Sequence, residues 1–470
     1  MLPRSRLIPL IIASALFMEN MDSTVIATSL PAIAADLGTN PITLKLAFTT
    51  YLLSLTVFIP ISGWMADRFG ARHVFRAAIA VFTLGSIACG LSTTLGGLVG
   101  ARALQGIGGA MMVPVGRIIL LRSIPKSELV DALAWLTIPA LIGPLFGPPV
   151  GGFITDTFGW RWIFWMNVPF GIAAITFASL FMPETGVDHV PPLDVKGFLL
   201  SAVGLSSLIF GLTVMGRDLL PGYAPSALVV FGIVMSGLYV WHARQVPAPI
   251  LDLRLLRLET FKAGVVGGSL FRIGVGAVPF LLPLMFQLGY GMTAFQSGMI
   301  TCAAAAGAIS MKFGAARMIR HFGFKRLLLV NGALASLSIA IMGLLTGTTP
   351  FFFMVALLFA GGFLRSLQFT AMNAMSYSDV DNDQMSYATS LYTVAQQLSL
   401  SAGVVLAAFV LEAAQWWRSE LTLTPGDFTI AFFTVATFSL AALWQFRDLS
   451  YDAGSSVSGK RAPSLPDAKD

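Results

Sequence analysis

Three polar side chains interrupt the first apolar run of this chain: Glu19, Asn20 and Asp22. Carboxylates inside hydrocarbon are costly, so they face a cavity and are functional groups by default. Glu19 and Asp22 are three residues apart, which sets them on one helix face with about 4.5 Å of rise between them. Two acids so close resist being ionised together, which favours a carboxyl that takes up and releases protons. A cation stands ready at matching depth. Arg102 lies about five residues into the fourth apolar run, and Asp22 about two-thirds of the way along the first. An ion pair between them is expected, because the alternative is two unpaired charges in the membrane.

Two more cations are buried in the second half of the chain. Arg272 falls about ten residues into the ninth run, near the midplane, and Arg365 lies in the inner half of the twelfth. Each needs a carboxylate, an array of carbonyls or an anionic substrate. The nearby runs offer only Glu412 and Asp427, close to the run ends. Arg272 therefore either faces Glu19 or Asp22 across a cavity or meets substrate. Gln396, with Gln397, Asn331 and Asn373, adds polar groups whose commoner use is helix–helix bonding.

Two backbone patterns accompany these side chains. Gly143-Pro144-Leu145-Phe146-Gly147-Pro148-Pro149-Val150-Gly151-Gly152 repeats glycine every fourth residue at 143, 147 and 151. That gives a side-chain-free face for close helix approach, while the prolines bend the helix. Gly63, Asp67, Arg68, Gly70 and Arg72 form a tight charged turn between the second and third apolar runs. A related basic stretch, Lys312 to Arg326, returns about 250 residues later, which suggests two related helical halves.

Helices must position all of these groups. The chain has 470 residues, of which 56% are hydrophobic and 11% charged, and its mean hydropathy is +0.79. A soluble domain carries roughly a quarter charged residues, so this chain is built for lipid. Apolar runs of spanning length number about fourteen, from about residues 8–29 to about 427–446. No ten-residue alternation of the barrel kind occurs. The expected fold class is an all-α polytopic membrane protein arranged as six, two and six helices. Residues 1–185 form the first half, 186–257 a peripheral two-helix insert and linker, 258–450 the second half, and 451–470 a polar tail expected to be disordered. The stretch from Pro247 to Thr260 is expected to lie along the inner membrane surface.

The net charge of +6 does not point to nucleic acid, because the cations sit in short loops. With the N-terminus inside, the outer ends hold four cations, Lys45, Arg161, Arg217 and Arg418, and the inner ends about twenty-two. Both termini are thus expected in the cytoplasm. Trp160, Trp162, Trp165, Trp416 and Trp417 cluster as interfacial anchors would. Cys89 and Cys302 lie in apolar runs and make neither a disulfide nor a metal site. Without a nucleophile–base pair, a metal cluster or a cofactor motif, an enzyme is not expected. Gly106, Gly108 and Gly109 lack the preceding strand of a dinucleotide loop.

The turn at Gly63–Arg72 resembles the Gly-x-x-x-Asp-Arg-x-Gly-x-Arg loop of the major facilitator superfamily, with Ala71 where a basic or polar residue is more usual. Asp22-Ser23-Thr24-Val25 with Leu30-Pro31, Arg102-Ala103-Leu104-Gln105-Gly106 and the Gly143–Gly152 pattern resemble motifs of its fourteen-span drug:proton antiporter branch. The resemblance covers nearly the whole chain short of its last twenty or so residues. It implies a major facilitator fold in a bacterial inner membrane. It also implies proton coupling through Asp22, Glu19 and Arg102, and a substrate cavity near Glu19, Asn20, Arg272, Arg365 and Gln396. The loop at Gly63, Asp67, Arg68, Gly70 and Arg72 would latch the cytoplasmic side, and Gly143, Pro144, Gly147, Pro148, Gly151 and Gly152 would form a moving packing face. Expected partners are a small-molecule substrate, protons and lipid, with no cofactor and with the oligomeric state left open. Export of an organic anion or metal chelate is the alternative to export of amphipathic drugs.

Overall fold

The computed structural model describes residues 4–123, 129–183, 192–214, 223–247, 249–380, 384–419, 422–450 and 453–454. Every regular element among the described residues is a helix, since backbone in lipid must satisfy its own hydrogen bonds. The six helices of the first half are α1 (Arg4–Asp36), α2 (Lys45–Phe69), α3 (Ala71–Leu91), α4 (Leu95–Ser123), α5 (Leu129–Phe158) and α6 (Asn167–Phe181), the last led in by the turn Trp162–Trp165. The inserted pair is α7 (Val195–Val214) and α8 (Ala224–Ala243). The second half is α9 (Gly268–Leu284), α10 (Ala294–Lys312), α11 (Phe324–Met342), α12 (Phe351–Ser376), α13 (Met385–Arg418) and α14 (Pro425–Arg447). Thirteen described helical stretches are long and apolar enough to cross a membrane, and the thirty-residue α5 is a further long helix. Most of the tail from residue 451, and residues 184–191 of the expected break, lie outside the described residues.

The packing of the two sets of six repeats with an offset of eight helices. α1 packs on α5 and α6, α2 on α4, and α3 on α4 and α6; α9 packs on α13 and α14, α10 on α12, and α11 on α12 and α14. The sets meet chiefly along α2 with α13 and α5 with α10, two seams that the same offset interchanges. The inserted pair packs on itself and reaches the bundle mainly through α7 on α2. Only 17% of the most apolar stretch of α8 is buried, against 67% in α2, so this pair lies at the rim.

Sequence chemistry marks the helix ends. Capping boxes start α10 (Thr293 with Gln296) and α14 (Thr424 with Asp427), pairing amides that hydrocarbon would leave bare. Gly70 joins α2 to α3 at φ 83°, and Gly323 joins a short helix, Ala315–Phe322, to α11 at φ 73°. Only glycine adopts such angles cheaply, so the duplicated loop keeps its joint although its second copy has become an amphipathic helix.

The stretch from Pro247 to Thr260 makes a five-residue turn, Leu253–Arg257, whose Leu255 is buried with Leu251 against Phe261, Val265 and Leu391. Tyr239 of α8 clips it by bonding both the N–H and the C=O of Leu251 at 2.8 Å. One expectation needs correction: Trp160 is not an interfacial anchor. It is buried, and its indole donates to Asp36 at 3.1 Å while Arg161 pairs with the same carboxylate at 2.6 Å, bracing the end of α1.

Candidate functional site

Asp22 is buried on the side of α1 that meets α4 and α6. Its Oδ2 accepts from Arg102 Nη1 at 2.5 Å, and its Oδ1 accepts from Gln105 Nε2 at 2.8 Å and Asn167 Nδ2 at 2.9 Å. Arg102 also donates to Gln105 Oε1 at 2.6 Å. Asn167 donates to Ser86 Oγ at 3.0 Å, and Ser86 in turn donates to the Phe164 carbonyl at 2.9 Å. The Tyr51 ring lies 4.2 Å from the guanidinium carbon of Arg102, a cation–π contact from α2. All members of this network are buried, and four helices besides α1 supply them.

The expected neighbours of Asp22 are thus only part of its shell. Asn167, Ser86 and Tyr51 were not singled out by the sequence, and Gln105 only as a member of the motif that carries Arg102. Gln105 stands one turn after Arg102, so spacing on α4 could have found it. Asn167 opens α6 behind a Trp-rich turn, and nothing local marks it.

Glu19 is half-buried, one turn along α1, with Oε2 unpartnered among the described residues. It lies against Gly109 of α4: a Cβ built there would stand 3.1 Å from the Tyr51 hydroxyl and 3.7 Å from Glu19 Oε1. Glycine at 109 makes the room these two polar groups share. Asn20 returns its amide to the Leu16 carbonyl at 2.9 Å.

The opposite side of α1 carries the glycine face of α5. A Cβ at Gly143 would stand 3.2 Å from Asn20 Cβ, one at Gly147 2.0 Å from Thr24 Oγ1, and one at Gly151 2.8 Å from the Val25 carbonyl. The next glycine turns outward to the other half. A Cβ at Gly152 would meet the Ala294 carbonyl at 2.4 Å, and one at Gly298 of α10 the Pro148 carbonyl at 2.2 Å. α5 is therefore seated without side chains on α1 and on α10 at once. Pro144 lies in the same helix, with its side chain outside the described residues.

The halves are also joined by polar contacts at the end where α1 finishes. Lys45 of α2 meets Glu412 of α13 at 2.8 Å, with side chains 2% and 14% exposed. Asp156 accepts from the Phe295 amide at 2.8 Å, and Gln287 donates to the Thr28 carbonyl at 2.9 Å. Lys45, counted from the sequence as a topological cation, is instead a buried bond across the seam.

At the other end, Gly63 has open space about it, Asp67 is half-buried in the last turn of α2, and Arg68 is exposed. Gly70 makes the joint, and Arg72 donates through Nη2 to the Ser179 carbonyl of α6, within its own half. A carboxylate in the last turn of a helix opposes the helix dipole, so Asp67 carries a local cost within α2 that contacts outside the helix must offset. Asp67→Asn is expected to slow transport while leaving substrate affinity near wild type. Equal loss of binding and transport in the purified variant would contradict a latching role.

Arg272 is fully buried, and the structure does not bring it to Glu19 or Asp22. It sits within the second half against Gly264, Tyr392 and Phe369. Its side chain runs back along its own helix toward the Gly264 carbonyl in the π-helical turn Ala263–Gly267, and Gly268 leaves room for the guanidinium. Arg365 is buried on α12 with the Met342 sulfur 3.8 Å from Nη1. Gln396 is half-buried on α13.

Known proteins resemble this chain along nearly its full length. The family model for the Major Facilitator Superfamily matches residues 12–404 and 264–463. A protein of Cronobacter sakazakii named multidrug resistance protein MdtD is 36% identical over 418 residues, covering 89% of this chain and 88% of its own length. The protein of that name from Serratia proteamaculans is 37% identical over 404 residues, covering 85% and 84%. Among solved structures, the POT family transporter PepTSo superposes with a TM-score of 0.70 at 15% identity, covering 95% of this chain and 97% of its own.

Proposed function

Because the chain belongs to the Major Facilitator Superfamily and is a multi-pass membrane transporter, we propose that it exports small amphipathic molecules from the bacterial cytoplasm in exchange for protons. The observation that carries this reading is the double setting of α1. One side of it holds Asp22 in a buried charged network, and the other is the surface on which α5 rides. A proton on Asp22 discharges the ion pair with Arg102 and leaves a buried guanidinium without its counter-charge. The network then loosens, and the position of α1 against α4 and α6 changes. The glycine seat passes that change to α5, and α5 passes it to α10 across the seam.

Antiport follows from the two ends opening in turn. With the outer side open, Asp22 takes a proton while substrate leaves; with the inner side open, substrate enters and the proton departs through the polar space at Glu19 and Tyr51. Glu19 either relays that proton or meets a cationic group of the substrate. The relatives named for multidrug resistance support an export direction. The cation count supports both termini lying inside, which makes the Lys45–Glu412 end the outer one.

Proteoliposomes test the reading: a pH gradient should drive accumulation of at least one member of an amphipathic panel, and collapse of the gradient should stop it. A panel moved equally with and without the gradient overturns proton coupling. The outer bonds give a second expected outcome. Glu412→Gln breaks a largely buried pair, a loss on the order of 3–5 kcal/mol where both partners are desolvated. A cysteine placed near the outer seam should therefore react faster with a membrane-impermeant thiol reagent in that variant. Unchanged labelling would show that Lys45–Glu412 does not hold the outer side shut.

A further inference from the structure

The second half contains a buried cation, Arg272, that forms no ion pair among the described residues. Arg272 is 0% exposed. Its Nη1 reaches the Gly264 carbonyl at 3.4 Å, a long bond, while Nε and Nη2 have no hydrogen-bond partner among the described residues. Asp22–Arg102, Lys45–Glu412 and Arg418–Asp427 pair buried carboxylates or cations with an opposite charge, and Arg272 belongs to none of these pairs. What faces the guanidinium is aromatic. Its central carbon lies 4.5 Å from the centre of the Tyr392 ring and 5.7 Å from that of Phe369. The Tyr392 ring lies tilted against Tyr377 at 5.4 Å, and its buried hydroxyl is set toward Ser376 and Arg272 without a well-aligned hydrogen bond among the described residues.

Three features show a site shaped around this side chain. The π-helical turn Ala263–Gly267 interrupts the helix where Arg272 folds back, and such turns gather at functional positions. A Cβ at Gly268 would stand 2.8 Å from Nη1, so glycine there makes the room the guanidinium occupies. The walls come from α12 and α13, and α13 forms one of the two seams between the halves. By the offset of eight helices, α9 takes the place in its half that α1 takes in the first. One half thus presents its charge on α1 as carboxylates, and the other presents its charge on α9 as a cation.

We propose that Arg272 is the anion-binding point of the transport site and takes a carboxylate carried on an aromatic or apolar body. This inference rests on the reading of the protein as a transporter. The planar fork of arginine offers Nε and Nη2 in parallel, the geometry that two carboxylate oxygens match, and the Tyr392 hydroxyl adds a third donor. Tyr392 covers the guanidinium in this state by a cation–π contact, which a carboxylate replaces when α13 shifts at the seam. Tyr377, Tyr392 and Phe369 receive the apolar body. Arg447, exposed at the end of α14, serves as the control cation.

The test is equilibrium binding to the full chain in lipid nanodiscs, using the fluorescence of dansylglycine and of its methyl ester, which differ at the carboxylate. Wild type should bind the acid at least about tenfold more tightly than the ester, the scale on which a site built for charged hydrogen bonds rejects an analogue lacking them. Arg272→Gln should bring the ratio to about one, Arg272→Lys to an intermediate value, and Arg447→Gln should leave it as in wild type. Should Arg272→Gln unfold on melting controls, Arg272→Lys and Tyr392→Phe carry the test, each lowering the ratio. Wild type without preference for the acid, or a preference that survives at Arg272 variants, overturns the proposal. The assay needs no ion gradient, so a failure of proton coupling would leave its outcome unchanged. Conversely, loss of the carboxylate preference would leave pH-driven transport of the ester intact.

Discussion

Asp22→Asn is expected to reduce pH-driven uptake into inverted vesicles by at least about tenfold, while substrate exchange without a gradient continues. Asparagine keeps the shape of the side chain and an oxygen for Gln105 and Asn167, but carries no titratable charge. What disappears is the charge partner of Arg102 at 2.5 Å. The variant also leaves Arg102 buried and unpaired, which costs about 3–5 kcal/mol and could by itself lower the amount of folded protein. A double variant separates the two effects. Asp22→Asn with Arg102→Gln removes both charges, so stability should return toward wild type while coupling stays lost. Recovery of pH-driven uptake in the double variant would mean that Asp22 serves folding alone.

Gly147→Leu is the second large effect expected. A Cβ at this position falls 2.0 Å from Thr24 Oγ1 and 2.9 Å from Thr24 Cβ, so even alanine cannot be seated without moving α1. Overpacking of this kind costs about 1–3 kcal/mol, and leucine adds three more carbons to the same gap. Forced apart, α1 and α5 lose the contact through which Asp22 is read, and transport should fall at least about tenfold with the protein still inserted. Gly237→Leu in α8 is the matched control, because a Cβ there meets nothing within 4 Å. If Gly147→Leu transports as well as Gly237→Leu, the glycine seat does not take part in movement.

The sequence made some of this arrangement legible and hid the rest for definable reasons. Spans follow from apolar length, and the pairing of Asp22 with Arg102 follows from depth, since two charges in lipid at one level have few other choices. The close approach of α5 could be read from glycine spacing, but its target could not: nothing in Gly143–Gly152 says that Gly147 meets Thr24 or that Gly152 meets Ala294. Asn167 and Ser86 join the Asp22 network from positions 145 and 64 residues away along the chain, and no period encodes such contacts. Depth left Arg272 between the acids of α1 and a substrate; the structure sets it apart from those acids, and the π-helical turn whose Gly264 carbonyl it reaches has no sequence signature. Lys45 was read as a topological charge for the same reason that Glu412 looked like a span-end acid: each is ordinary alone, and only the seam brings them to 2.8 Å.

Proton release from the purified protein tests the central claim most directly. In weakly buffered detergent solution with a pH-sensitive dye, the probe is the tightest-binding member of a panel of ethidium, dansylglycine and dansylglycine methyl ester. Adding it to wild type should release protons in proportion to the sites filled. Asp22→Asn should bind the same probe and release none. Proton release of wild-type size from Asp22→Asn would contradict the account and move the coupling group elsewhere in the chain.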